Sequence, residues 1–294
     1  MGAYRSTPLT DKHTTSGNDA KLRYAASEMQ GWRITMEDAK ITHLGRDMYV
    51  FGVFDGHGGH EVAHFVERHF IQELERNSNY RGGRYEKALT ENFLYMDSLL
   101  LTPAGSQELK SLMNEGENES MAGCTAIVVL VVGNRLYAAN AGDSRAVLAR
   151  GGRAVELSTD HKPDMPSERD RIIRAGGRVE DGRVMGNINL SRSIGDFEYK
   201  NMKRPASEHM ITALPEVRTV ELTPQDDFIV LACDGIWDMV TNQQCVDFIY
   251  ERLRTKALTT IVEELLDRCL ATDVASSAGL GCDNMTCVIA AFNK

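Results

Sequence analysis

Two apolar runs in the chain end abruptly in an acidic residue. The run at residues 49–54 is followed by Asp55, Gly56 and His57, and the run at residues 228–233 is followed by Asp234 and a glycine. Short uninterrupted apolar runs predict buried strands, and a carboxylate at the end of such a strand is displayed at the rim of its sheet. The adjacent glycines let the backbone come close to whatever the acids bind. The pattern therefore predicts two carboxylates side by side at one rim.

The rest of the pattern predicts helices mixed with short strands. Helical spacing of apolar residues, with a capping box at Thr241 and Gln244, predicts helices near 59–76, 84–101, 107–113, 166–175, 241–253 and 258–271. Strands are predicted near 22–29, 125–132, 135–141, 144–149, 153–157, 216–221, 228–233 and 285–292. Only tight turns separate the strands between 125 and 157, and a parallel crossover needs about a dozen residues or more, so these strands must pair mostly antiparallel. This favours an α+β fold of packed sheets with helices outside, not a doubly wound nucleotide-binding fold.

Domain organisation follows from composition along the chain. Residues 1–21 are polar and predict a flexible N-terminal tail. No internal repeat or proline-rich linker interrupts residues 22–294, which favours one domain over that range.

Charge and cysteine usage narrow the function classes. The formal net charge of -9 argues against a nucleic-acid binder, which needs a basic surface, and a surplus of acids is compatible with a cation site. The six cysteines form no C-x-x-C pair, which predicts reduced thiols and a cytoplasmic protein. The apolar run at 126–132 is too short to span a bilayer, and the N-terminus has no signal-peptide core.

The N-terminus also fits a lipidation pattern. Residues 1–6 match M-G-x-x-x-[ST], which predicts myristoylation of Gly2. A single myristoyl chain would give weak, reversible membrane association. The pattern is short, so a chance match stays open as the alternative.

A zinc site is one candidate chemistry. His60, Glu61 and His64 match H-E-x-x-H, the zinc-binding pattern of many metalloproteases. Residues 67 and 70 are not the glycine and histidine of the extended motif, and helical geometry turns both histidines away from the apolar face. A third ligand from Glu86 or Glu91 keeps this alternative open.

A hard-cation site is the competing chemistry. Glu37, Asp55, Asp234 and Asp283 carry four negative charges, and carboxylate oxygens suit Mg²⁺ or Mn²⁺ better than zinc. Each ionised pair about 4 Å apart would cost about 4 kcal/mol at an effective dielectric constant of about 20, so the cluster needs cations. If residues 30–38 are extended, Arg33 also shares a face with Glu37; the alternative there is an ordinary exposed ion pair. Any single aspartate among these acids also fits a turn or a helix cap.

Eight spaced motifs resemble those of the metal-dependent serine/threonine phosphatases of type 2C. They occur in order between Leu22 and Phe292, at residues 29–38, 53–59, 123–126, 141–145, 160–163, 190–196, 233–238 and 283–286. The resemblance implies a four-layer α/β/β/α sandwich, with two mostly antiparallel sheets flanked by helices and a flap insertion at about 160–204. A catalytically inactive binding module of the same fold is disfavoured, because no ligand position is substituted.

The same resemblance implies a set of site residues. Asp55 would bridge two ions, with Glu37 and the Gly56 carbonyl on one ion and Asp234 and Asp283 on the other. The resemblance also implies that Asp38 contacts these ligands and that Asp143 and Asp238 bind a third, weaker ion. Arg33 would bind the substrate phosphate, and His57 would protonate the leaving group.

The implied reaction is hydrolysis of phosphoserine and phosphothreonine monoesters in phosphoprotein substrates. A hydroxide bridging two Mg²⁺ or Mn²⁺ ions would attack in line. A general acid accelerates such a reaction only about 10²- to 10⁴-fold, so the ions would supply most of the rate enhancement. The protein is expected to be a monomer.

Overall fold

Two large antiparallel sheets lie face to face at the centre of the molecule. The computed structural model describes residues 4–46, 48–113 and 120–293. Its strands are β1 (Tyr4–Asn18), β2 (Leu22–Arg33), β3 (Ala39–Leu44), β4 (Tyr49–Phe54), β5 (Gly56–His57), β6 (Gly123–Cys124), β7 (Ala126–Val132), β8 (Arg135–Ala141), β9 (Arg145–Arg150), β10 (Arg153–Glu156), β11 (Val179–Glu180), β12 (Arg183–Val184), β13 (Ile194–Gly195), β14 (Glu216–Glu221), β15 (Asp226–Ala232) and β16 (Met285–Phe292).

The helices lie outside the sheets. They are α1 (Glu61–Arg76), α2 (Ser78–Arg81), α3 (Tyr85–Leu100), α4 (Pro103–Leu112), α5 (Pro166–Arg174), α6 (Asp234–Trp237), α7 (Asn242–Arg252) and α8 (Leu258–Cys269). The predicted capping box is present at the start of α7, where the Thr241 side chain accepts from the Gln244 amide.

The strand order shows how the chain is threaded. The larger sheet has the order β1-β2-β16-β15-β9-β10 and the smaller one β14-β8-β7-β4-β3. Each paired strand in both sheets runs antiparallel to its neighbour, as the short turns predict. A three-stranded ribbon, β13-β6-β5, lies beside them, and β11 pairs with β12.

Three apolar layers separate four layers of secondary structure. One layer lies between the smaller sheet and α1 and α3, a second between the two sheets, and a third between the larger sheet and α6, α7 and α8. Successive residues of β15 alternate between these layers: Phe228 and Val230 face the helices, whereas Ile229 and Leu231 face the other sheet. Both faces of the central strands are therefore buried, which explains their uninterrupted apolar runs. The predicted α+β sandwich is confirmed.

The prediction of a flexible tail over residues 1–21 is wrong for its described part. Residues 4–18 form β1, which pairs with β2 in a register from Tyr4 opposite Arg33 to Asn18 opposite Arg23. Side chains also tie the strand to α8, through Thr14 to Glu263 (2.6 Å) and an ion pair of Lys12. An edge strand is held by backbone hydrogen bonds and one packed face, so its mostly exposed residues need no apolar pattern. Gly2 lies outside the described residues.

The connection from β10 to β14 joins the two sheets and carries α5 with the smaller strands. It contains residues 160–204, and a small apolar cluster of Ile172, Val184 and Ile211 lies within it. In the described part of the chain, all the helices are too short or too polar to cross a membrane. All six cysteines are buried, and they are free thiols, as the absence of a C-x-x-C pair predicts.

Candidate metal centre and active-site cleft

Five aspartates meet at one end of the sandwich because strands begin or end there. Strands β4, β8 and β15 are followed by Asp55, Asp143 and Asp234, respectively. Strands β3 and β16 are preceded by Asp38 and Asp283. In an antiparallel pair, the end of one strand and the start of its neighbour share a rim. Ala39 of β3 pairs with Phe54 of β4, for example, which brings Asp38 beside Asp55.

A cleft of about 280 Å³ opens at this rim. Most of the predicted site residues line it, namely Arg33, Glu37, Asp55, Gly56, His57, Asp143, Asp234 and Asp283. Two predicted residues do not. Asp38 is buried behind the cleft with 2% of its surface exposed, and Asp238 is exposed one turn beyond Asp234.

The carboxylates come close enough to share cations. One oxygen each from Asp55, Asp143 and Asp234 lie within 4.8 Å of one another, and Asp38, Asp55 and the sulfur of Cys233 form a second such group. Burial raises the pKa of the Cys233 thiol well above its usual value, so the sulfur stays protonated and is a poor ligand. The effective donors are carboxylate oxygens, which fit hard divalent cations.

Electrostatics show the same need for cations. Burial first, and then the charges of neighbouring aspartates, raise the pKa of Asp55 and Asp234 well above the usual range. Burial also raises the pKa of Asp38 to about 7, although the nearby Thr286 hydroxyl and Cys233 thiol lower it somewhat. Neither oxygen of Asp38 makes a hydrogen bond within the described residues. Divalent cations at the rim would offset this repulsion, so the residues present fit such ions.

Asn284 orders the Glu37 side of the cleft. Its side-chain oxygen accepts from the Glu37 amide (2.9 Å), and its side-chain nitrogen donates to the carbonyls of Gln30 (2.8 Å) and Thr35 (3.0 Å). Gly56 lies against the same turn, where a Cβ would stand 2.3 Å from the Glu37 carbonyl oxygen. A side chain at position 56 would therefore displace Glu37.

Arg33 also lines the cleft and is held there by Asp283. Arg33 Nη2 donates to Asp283 Oδ2 (2.5 Å), and the Arg33 Nε is buried without a partner among the described residues. Arg33 is the last residue of β2, and the chain bends over residues 34 and 35, so the prediction that Arg33 and Glu37 share one strand face is wrong. Both residues line the same cleft.

Lys162 and His161 hold Asp143. The Lys162 ammonium forms an ion pair with the Asp143 carboxylate. The His161 amide donates to the Gly142 carbonyl (2.9 Å), and the Gly142 amide donates to His161 Nδ1 (3.3 Å). Asp143 is thus fixed by a segment that lies 19 residues further along the chain.

His57 lies against a buried carboxylate. Its Nε2 is 2.8 Å from Asp196 Oδ2, and the Ser193 hydroxyl donates to the same carboxylate oxygen. Asp196 is 3% exposed. Burial lowers the pKa of His57, but the charge and hydrogen bond of Asp196 outweigh it, so the net pKa is raised. This imidazole therefore retains its proton to a higher pH than a free histidine does.

Comparison with known proteins identifies the family. The family model for protein phosphatase 2C matches residues 22–278. The chain belongs to the protein phosphatase 2C family. "Protein phosphatase 2C 1" of Paramecium tetraurelia is 51% identical over 297 residues, covering 98% of both chains, and "Probable protein phosphatase 2C 21" of Arabidopsis thaliana is 40% identical, covering 100% of this chain and 93% of the relative.

Solved structures support the fold. A serine-threonine phosphatase 2C from Toxoplasma gondii superposes with a TM-score of 0.77 at 22% identity, covering 100% of both chains. The resemblance found in the motifs is confirmed, and family membership makes the protein a metal-dependent phosphoprotein phosphatase.

The H-E-x-x-H motif lies outside the phosphatase 2C cleft. His64 Nδ1 contacts Glu67 Oε2 (3.2 Å), and the Glu61 carboxylate is buried and accepts from the Ser120 hydroxyl (2.5 Å). Glu91, one proposed third ligand, accepts from two asparagine side chains instead. Among the described residues, the clusters that could hold a metal contain neither His60 nor His64. This arrangement gives the zinc alternative no support.

Three residues of this site had no role in the sequence-based prediction. They are Asp196, Asn284 and Lys162, which contact His57, Glu37 and Asp143 respectively. All three fall within motifs shared with the phosphatase family, which is the signal that marks them. Their partners are 139, 247 and 19 residues away in the sequence, so the contacts themselves are tertiary.

Proposed function

We propose that the protein is a serine/threonine phosphatase that hydrolyses phosphoserine and phosphothreonine monoesters with two Mg²⁺ or Mn²⁺ ions in the cleft. The observation that carries this proposal is the convergence of Asp55, Asp143 and Asp234 within 4.8 Å in a cleft that Arg33 and His57 also line. Asp55 belongs to both of the clusters whose potential ligand atoms lie within 4.8 Å of one another, which supports its role as the shared ligand.

Other residues of the cleft would complete the two ion sites that share Asp55. Glu37 and the Gly56 carbonyl would hold one ion, and Asp234 with Asp283 the other. Asp143 at the rim would serve a third, weaker ion together with Asp238, which lies one helical turn beyond Asp234. When bound, such ions neutralise phosphate charge and lower the pKa of an attacking water.

Arg33 would bind the phosphate group of the substrate. Its side chain is about one-third exposed, and its Nη2 donates to Asp283. The guanidinium has further N–H groups besides the one that Asp283 accepts from, and a phosphate oxygen would pair with these. Asp283 thereby orients the guanidinium towards the substrate as well as carrying charge.

His57 would hold the proton that the leaving alkoxide needs. A serine or threonine alkoxide is a poor leaving group, so protonation as the P–O bond breaks lowers the barrier. Asp196 contacts the ring through Nε2, so Nδ1 would be the nitrogen that serves the substrate. The buried Asp196 carboxylate also favours the protonated ring.

Phosphate release from a phosphothreonine peptide tests this function. We expect activity with Mn²⁺ or Mg²⁺ and none after chelation. Asp55→Asn should reduce turnover by at least about 10³-fold, because the ions carry most of the rate enhancement, while the circular dichroism spectrum stays unchanged. Near-normal turnover in a folded Asp55→Asn protein would refute the assignment.

A further inference from the structure

A buried ion cluster lies in the connection between β10 and β14. Among the described residues, its hydrogen bonds go to groups other than the proposed metal ligands. We call it the Glu168 clasp and define it as Glu168, Arg171, Ser191 and Arg192. Glu168 accepts from Arg171 Nη1 (2.7 Å), from the Ser191 hydroxyl (2.7 Å) and from Arg192 through both Nε (3.0 Å) and Nη2 (2.7 Å). One carboxylate thus gathers four donors from three residues.

The arginines extend the clasp to other parts of the connection between β10 and β14. Arg171 of α5 donates to the carbonyls of Ser191 (2.5 Å) and His209 (3.1 Å), and Arg192 donates to the carbonyl of Leu214 (3.0 Å). The clasp therefore ties a helix to two segments that otherwise have little regular structure.

The charged side chains of the clasp are largely shielded from solvent. The side chains of Glu168, Arg171 and Arg192 are 1%, 8% and 17% exposed. Burial would raise the pKa of Glu168, but the hydrogen bonds and charges of Arg192 and Arg171 outweigh it and lower the pKa to about 2. A buried ion cluster adds little net stability, yet losing one partner leaves an uncompensated charge. Removing one partner should therefore disturb the packing of this connection.

The clasp adjoins the cleft wall directly. Asn189 and Leu190 line the cleft, and Ser191 and Arg192 of the clasp follow them in the chain. The Ser191 amide also donates to the carbonyl of His161 (3.4 Å), next to the lysine that pairs with Asp143. Movement of the clasp would therefore move the wall at residues 189–190.

We propose that the Glu168 clasp is a positioning device that holds the cleft wall at residues 189–190 against the polypeptide flanking the phosphorylated residue of a substrate. This inference rests on the proposed phosphatase function. It assigns Glu168 no contact with the reacting atoms. A substrate without flanking polypeptide should be insensitive to the clasp.

Steady-state kinetics of Glu168→Gln on two substrates tests the proposal. The amide keeps the shape of the side chain but removes the charge and turns an NH₂ group towards the arginines. For a phosphothreonine peptide, we expect KM to rise about five- to tenfold, the size of one ordinary hydrogen bond, with kcat changed less than about twofold. For p-nitrophenyl phosphate, which has no flanking polypeptide, both constants should stay within about twofold of wild type.

Asp226→Asn is the matched control. Asp226 is a buried carboxylate (3% exposed) that accepts from Arg150 through Nε (2.7 Å) and Nη2 (3.1 Å). It begins β15, whereas Asp234 follows the other end of that strand, about 25 Å away at the usual rise per residue. We expect Asp226→Asn to lower Tm comparably without changing KM for the peptide.

A milder pair keeps the test decisive if Glu168→Gln does not fold. Arg192→Lys retains the charge and loses the two-point contact, and Arg150→Lys makes the same change at the control site. Only Arg192→Lys should raise KM for the peptide. Equal KM changes on both substrates, or an unchanged peptide KM in a folded clasp variant, would overturn the proposal. A wild-type protein that releases no phosphate would instead overturn the proposed function.

Discussion

Asp196 offers the sharpest test of how the cleft performs the reaction. Asp196→Asn removes the charge beside His57 and preserves the side-chain shape. A hydrogen bond to a charged group contributes about 1.5–3 kcal/mol, and about 1.4 kcal/mol corresponds to a tenfold rate change. The 2.8 Å contact between His57 Nε2 and Asp196 Oδ2 is such a bond. We therefore expect kcat on a phosphothreonine peptide to fall about 10- to 100-fold, within the range of one general acid.

The assay compares leaving groups and pH. p-Nitrophenolate leaves without protonation, so kcat on p-nitrophenyl phosphate should fall much less than kcat on the peptide. Asp196 raises the pKa of His57, and the acid must be protonated to act. Removing Asp196 lowers that pKa, so the loss of peptide activity on raising the pH should begin at a lower pH in the variant.

Asp226→Asn serves as the control, because it removes a buried carboxylate at the other end of β15. It should leave both the leaving-group dependence and the pH profile unchanged. An equal loss on both substrates in Asp196→Asn, with no shift in the pH profile, would refute an acid role for His57 supported by Asp196.

Three further predictions concern the carboxylate metal centre and the alternative zinc site at the H-E-x-x-H motif. Burial and repulsion raise the pKa of Asp55 and Asp234, so their ionisation at neutral pH weakens the folded state. Millimolar Mg²⁺ should therefore raise Tm in calorimetry and chelator should reverse it; a Tm that ignores Mg²⁺ contradicts the site. Gly56→Ala should displace Glu37 and weaken Mn²⁺ binding in calorimetric titration at least about tenfold, whereas an unchanged affinity would show that the turn tolerates a Cβ. His64→Ala should leave phosphate release within about twofold of wild type, and a large loss would indicate that the H-E-x-x-H motif takes part in the activity.

Local pattern determined most of the secondary structure. The helix at Leu258–Cys269 and the strands at Glu216–Glu221 and Met285–Phe292 match their predicted positions closely, because apolar spacing reports which faces are buried. The acids that end apolar strands were visible for the same reason. Strand β1 was not, because an edge strand held by backbone hydrogen bonds needs no apolar signal.

The sequence by itself determined the layered fold, the acids at the strand ends and the family, since burial periodicity and motif order are local or linear properties. Only the tertiary structure decided which side chains meet. It set Asp196 against His57 across 139 residues and Asp283 against Arg33 across 250. It also brought Arg192 into contact with Glu168 across 24 residues. Such contacts depend on how two sheets and their connections pack in space, and residue order carries no direct measure of that packing.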